Sequence, residues 1–129
     1  MKCFVDISLD HKGGIRKGPG TAEIAISAEY KGGLQTRTHR IEVEDETIDT
    51  LAIRAVVEAL RNFKKAEQEI VIRIRNPYVR NNWKDLEKRH AADWKTKKGK
   101  PYANAQEWRL LWMAAQEHTI TFEVPDGAV

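Results

Sequence analysis

The sequence predicts an α/β domain built on a five-stranded mixed sheet flanked by helices. Two observations carry this. The first third of the chain holds three alternating apolar segments joined by glycine-rich turns. A strongly amphipathic helix then separates them from a continuous apolar run at 69–75. Three hairpin-linked antiparallel strands, a crossover helix and two further strands added in parallel satisfy that order. No internal repeat and no long linker divides the chain, so residues 1–129 read as one domain.

The elements follow in chain order. Residues 3–9 alternate Cys3, Val5, Ile7 and Leu9 with Phe4, Asp6 and Ser8, the period of a half-buried strand. A Gly- and Lys-rich loop runs from His11 to Gly20. Residues 21–30 read as a second strand, Lys31-Gly32-Gly33 as a turn, and 34–43 as a third, more polar strand. Residues 49–66 predict a helix, since Ala52, Ala55, Val56, Ala59, Leu60 and Phe63 share one face. Asp45, Thr47 and Asp49 are its candidate caps. The run at 69–75 implies a strand buried on both faces. Residues 78–90 read as helical after Pro77, and 91–103 as a polar loop. Asn104 with Glu107 predicts a capping box opening a helix to about residue 117. Residues 118–124 read as the last strand.

Composition narrows the function classes. The net charge is +3, and 32% of residues are charged. Basic residues dominate 84–100, whereas 42–49 carry Glu42, Glu44, Asp45, Glu46 and Asp49 with no base. One cysteine, Cys3, excludes an intramolecular disulfide and a thiolate zinc site. The four histidines lack zinc spacing, and Gly18-Pro19-Gly20 lacks the Gly-Lys-Ser/Thr of a phosphate loop. No apolar run reaches a membrane span, and the strand-like N-terminus carries no leader pattern. A cytoplasmic location is the expectation.

Several motifs in order resemble bacterial type 1 ribonuclease H. They are the first strand with Asp10 and Gly18-Pro19-Gly20, the helix from Asp49 through Glu58-Ala59-Leu60, and Tyr78-Val79 after the fourth strand. The stretch Trp94-Lys95-Thr96 to Lys100-Pro101, Asn104 and Trp108 is similar to that family's basic protrusion. The resemblance implies two-metal phosphodiester hydrolysis, in which four carboxylates hold Mg²⁺ or Mn²⁺.

Carried over residue by residue, the resemblance places those carboxylates on Asp10, on Asp49 (shorter by one methylene) and on Arg75, a guanidinium instead of an acid. The fourth belongs beyond the last strand, in a helix these residues do not include; Asp126 comes several positions too early. Arg75 is expected to bridge Asp10 and Asp49 in place of metal. Two hybrid-gripping asparagines fall on Asp45 and Glu46, and a glutamine on Pro77. Trp94, Lys95, Thr96, Lys97, Lys98, Lys100 and Asn104 are the expected nucleic-acid contacts, with Trp94 stacking on bases. Bland readings stand beside these: Asp10 as a turn residue, Asp49 as a helix N-terminal acid, the lysines as a solvated loop. The implied function is a catalytically impaired domain that binds RNA–DNA hybrid or duplex. The alternatives are an active metal-dependent ribonuclease H, and a protein-interaction or self-associating module using a surface left uncovered at the C-terminal end.

Overall fold

A computed structural model describes residues 2–30 and 32–125. Asp126 therefore lies outside the described residues, as does Lys31 of the expected turn. The order is β1 (Lys2–His11), β2 (Gly18–Tyr30), β3 (Gly33–Glu46), α1 (Ile48–Arg61), β4 (Glu69–Ile74), α2 (Pro77–Trp83), α3 (Leu86–Ala91), α4 (Ala105–Ala115) and β5 (Thr119–Glu123). The sheet runs β3-β2-β1-β4-β5. β1 to β3 pair antiparallel, while β4 lies parallel to both β1 and β5. This is the expected mixed sheet.

The core lies between one sheet face and α1. Cys3, Val5 and Ile7 of β1, Ala22 and Ile24 of β2, and Ile70, Ile72 and Ile74 of β4 all point into it. Leu51, Ala52, Ile53, Ala55, Val56, Ala59 and Leu60 cover them from α1. Trp108 and Leu111 of α4 complete the layer. Among the described residues no helix is long and apolar enough to cross a membrane.

The opposite sheet face is polar. It presents Asp6, Ser8, Glu23, Ser27, Thr36, Thr38, Arg40, Thr121 and Glu123, most of them exposed. Arg40 pairs with Glu23 at 3.5 Å and with Glu42 at 3.1 Å, and Ser27 meets Thr36 at 3.0 Å. Its apolar centre is small. Val71, only 4% exposed, neighbours Phe4, whose ring lies 4.5 Å from the Arg73 guanidinium. Arg73 Nε also faces Asp6 Oδ1 at 3.4 Å, an ion pair without hydrogen-bond alignment. β4 is thus buried on both faces as expected.

Three of the differences from the expected boundaries have a local reason. α1 ends at Arg61 rather than 66, because Asn62 donates its side-chain amide to the Glu58 carbonyl at 2.7 Å and closes the last turn. Residues 78–90 form two helices. The Asn82 carbonyl accepts from Asp85 N at 3.0 Å, and that turn carries Leu86 into the core. β1 and β2 shorten the expected loop to residues 12–17. Gly20 pairs with His11 near the start of β2, at a position where an added Cβ would sit 2.9 Å from both the His11 ring and Leu51.

Candidate functional site

The parallel pairing of β1 with β4 ends at Ile7 and Ile74, so β4 stops beside Ile7 while β1 runs on to His11, and α1 starts at the same edge of the sheet. α1 is capped by Thr47, whose hydroxyl accepts from Thr50 N at 3.1 Å. Asp49 follows in the first turn, half-buried. Its Oδ1 accepts a hydrogen bond from Asn76 Nδ2 at 3.1 Å. Asn76 is 8% exposed, and its Oδ1 accepts from Val79 N at 3.1 Å, capping α2. One side chain therefore ties the end of β4, the start of α2 and the start of α1 together.

Arg75 does not make the expected bridge. It is exposed, and no ion pair joins it to Asp10 or Asp49 among the described residues. The cause is strand alternation. Ile74 points to the helix side, so Arg75 projects to the other face and Asn76 returns to α1. The Arg75 carbonyl accepts from Arg80 at 3.2 Å.

Asp10 stands exposed near the end of β1, opposite Thr21. Its neighbour His11 is the anchored residue. Gly13 N donates to His11 Nδ1 at 3.1 Å, which assigns the remaining ring proton to Nε2, 2.6 Å from the Glu46 carbonyl. The imidazole thus fastens the β1–β2 loop to the end of β3. Asp45 is exposed, and Glu46 pairs loosely with Arg54 at 3.8 Å.

These donors do not fit a divalent-ion centre. Mg²⁺ and Mn²⁺ need several oxygen ligands converging on one point. Among the described residues no group of three or more His, Cys, Asp or Glu converges in that way. One oxygen of Asp49 already accepts an amide proton, and the third position offers a cation.

The basic loop divides into a tip and a root. Lys95, Lys97, Lys98 and Lys100 are exposed. The tip is closed by Thr96 N to the Lys100 carbonyl at 2.7 Å and Gly99 N to the Thr96 carbonyl at 2.9 Å, with Gly99 at φ 80°. Lys95 reaches Asp93 at 4.0 Å, an exposed and weak pair. Trp94 belongs to the root. At 3% exposure its ring faces the core, so it offers no face to a base and the expected stacking role is withdrawn. Its sequence neighbours suggested otherwise because the left-handed backbone at Asp93 and Trp94 turns the indole inward (φ 54° and 59°).

Asn104 also serves the root. It opens α4 at φ 59°, but its side chain makes no cap bond, so the expected capping box is absent. Instead its Oδ1 accepts from Thr50 Oγ1 at 2.7 Å, and its Nδ2 donates to Tyr78 Oη at 3.3 Å. Trp108 Nε1 donates to the same hydroxyl at 3.4 Å. A groove of about 870 Å³ opens beside this network, lined by Lys17, Glu46, Thr47, Tyr102 and Arg109 among others. The sequence did not single out Asn76 and Thr50, and it marked Tyr78 only as part of the Tyr78-Val79 motif. An Asn directly before a helix-opening Pro is nevertheless an N-cap signal.

The RNase H family model matches residues 4–126. A ribonuclease H of Actinobacillus succinogenes is 31% identical over 93% of this chain and 75% of its own length. One from Mannheimia succiniciproducens is 29% identical over 98% and 78%. Among solved structures, LC9-RNase H1, described as a type 1 RNase H with the type 2 active-site motif, superposes with a TM-score of 0.82 at 21% identity. That match covers 99% of this chain, which spans 64% of the LC9 chain. The foamy viral protease-reverse transcriptase in complex with RNA/DNA hybrid gives a TM-score of 0.69 at 15% identity, covering 95% of this chain and 17% of that one. These two likenesses concern the fold. The sheet order, the family match over nearly all of the sequence and the relative at 31% identity lead to one statement: the chain belongs to the RNase H family.

Proposed function

We propose that this chain is an RNase H-like domain, one unit over residues 1–129, that binds RNA–DNA hybrid or duplex and hydrolyses it poorly or not at all. The observation that carries the impaired chemistry is the end of β4. There Arg75 stands where the family resemblance calls for a carboxylate, and Asn76 Nδ2 holds Asp49 Oδ1 at 3.1 Å. Binding is supported by the exposed lysines of the 95–100 loop and by the hybrid complexes among the structural neighbours. Exposed lysines contribute through phosphate neutralisation, which is independent of sequence and falls with salt.

The test uses a labelled RNA–DNA hybrid. Fluorescence anisotropy across a salt series should show binding that weakens as salt rises, and incubation with Mg²⁺ or Mn²⁺ should leave the RNA strand intact. No binding at low salt removes the nucleic-acid role; cleavage removes the impairment. An active ribonuclease H is the second reading. It is favoured by the names of the curated relatives and by LC9-RNase H1, whose description shows that this fold carries more than one active-site motif.

A further inference from the structure

We propose that the free edge of β3 is a self-association surface, on which a second copy of this chain pairs antiparallel about a twofold axis. β3 is an edge strand and, at 14 residues, the longest in the sheet. Such edges offer unpaired backbone donors and acceptors and are usually blunted by proline, lysine or irregular register. Gly33–Glu46 contains no proline and no lysine. Its pairing with β2 is regular from Leu34 to Val43, the register shift lying beyond, opposite Gly18 to Gly20.

The charge along this strand is segregated. Arg37, His39 and Arg40 lie before Ile41; Glu42, Glu44, Asp45 and Glu46 lie after it. A parallel partner would set like charges side by side. An antiparallel copy sets each basic stretch against an acidic one, and the twofold axis makes every such contact occur twice. With the axis at Ile41, Arg40 lies opposite Glu42 of the second copy and Arg37 beside its Asp45. Directly opposed residues share a sheet face, the arrangement in which opposite charges stabilise a strand pair. Arg40 and Glu42 of one copy are exposed at 57% and 68% and pair with each other at 3.1 Å, on the sheet face where the second copy's Glu42 and Arg40 would join them.

Sedimentation equilibrium of the full chain tests the proposal. At low salt the mass should approach twice 14.8 kDa with rising concentration and return toward 14.8 kDa as salt screens the pairs. Two variants sharpen it. R37E/R40E makes the strand acidic, E42R/D45R makes it basic, and each alone should weaken self-association at least about tenfold. Mixed in equal amounts they should associate with each other, because every opposed pair regains opposite signs. Should a variant misfold, amide exchange of the unaltered chain decides. Residues 34–43 should exchange more slowly at high protein concentration than at low. Unchanged exchange there, a chain monomeric at about 1 mM, or variants that self-associate as tightly as the parent overturns the proposal.

Discussion

Replacing Asn76 with alanine removes two hydrogen bonds from one buried position. The Val79 N–H loses its acceptor at 3.1 Å and, being buried, is left unpaired, which costs about 1–3 kcal/mol. Asp49 loses the amide donor at 3.1 Å. A bond to a carboxylate can contribute about 1.5–3 kcal/mol, but Asp49 is half-buried and solvent replaces part of it, so about 1 kcal/mol is the working value. The sum is about 2–4 kcal/mol. For a domain of this length that lowers the melting temperature by roughly 8–16 °C. Calorimetry at neutral pH reads it directly. Asn76→Asp separates the two bonds: the cap acceptor survives while a carboxylate faces Asp49. Like charges raise the pair's affinity for a proton in the folded state. Relative to the parent, this variant is therefore penalised least at low pH, and the penalty grows as pH rises through the carboxylate range. Mg²⁺ should raise the melting temperature of Asn76→Asp and leave the parent unmoved. An Asn76→Ala protein within about 0.5 kcal/mol of the parent would refute the reasoning.

Three further outcomes follow from burial and charge. Trp94→Ala should cost about 3–5 kcal/mol in a denaturant melt, because the indole fills core space; a change under about 1 kcal/mol would return it to the surface. Replacing Lys97, Lys98 and Lys100 together by alanine should leave stability within about 0.5 kcal/mol. It should flatten the salt dependence of hybrid binding by up to about 2.7 in log–log slope, and an unchanged slope would take these lysines out of the interface. Burial pushes the Cys3 thiol above its ordinary value, so the folded state keeps that proton longer than the unfolded chain. Its stabilising contribution is whole at neutral pH and is lost as pH climbs past about 9, and alkylation at pH 8 should wait on unfolding.

The fold was legible because its signals are periodic. β1, α1 and β4 each announce themselves through apolar spacing; Ala52, Ala55, Val56, Ala59 and Leu60 of α1 are buried as its helical face predicts, joined by Leu51, Ile53 and Val57, while Phe63 lies beyond the helix and is half-buried. Side-chain direction at irregular backbone was not legible. Trp94 among lysines reads as a surface aromatic until positive φ turns it inward, and Asn104 reads as a cap until its left-handed backbone sends the amide to Thr50 and Tyr78. Arg75 and Asn76 show a subtler limit. The resemblance marked the departure at Arg75, yet the contact to Asp49 comes from the next residue, because a strand gives adjacent side chains to opposite faces. The polar open face was written in β2 and β3 all along, in Glu23, Ser27, Thr36, Thr38 and Arg40.

The basic loop is fixed at both ends: Trp94 is buried, the carbonyl of Trp94 accepts from Tyr102 N at 3.0 Å, and Lys95 bridges to Pro101. Its backbone has therefore already lost most of its conformational freedom before any ligand arrives. A polyanion landing on it has to order only lysine side chains, each about 2 kcal/mol at most, and not the chain that carries them. A free six-residue segment would add roughly 1–2 kcal/mol of backbone entropy per residue to that cost. The folded root thus turns a cluster of ordinary surface charges into a preorganised one, and binding to it should show a small entropic penalty for its charge.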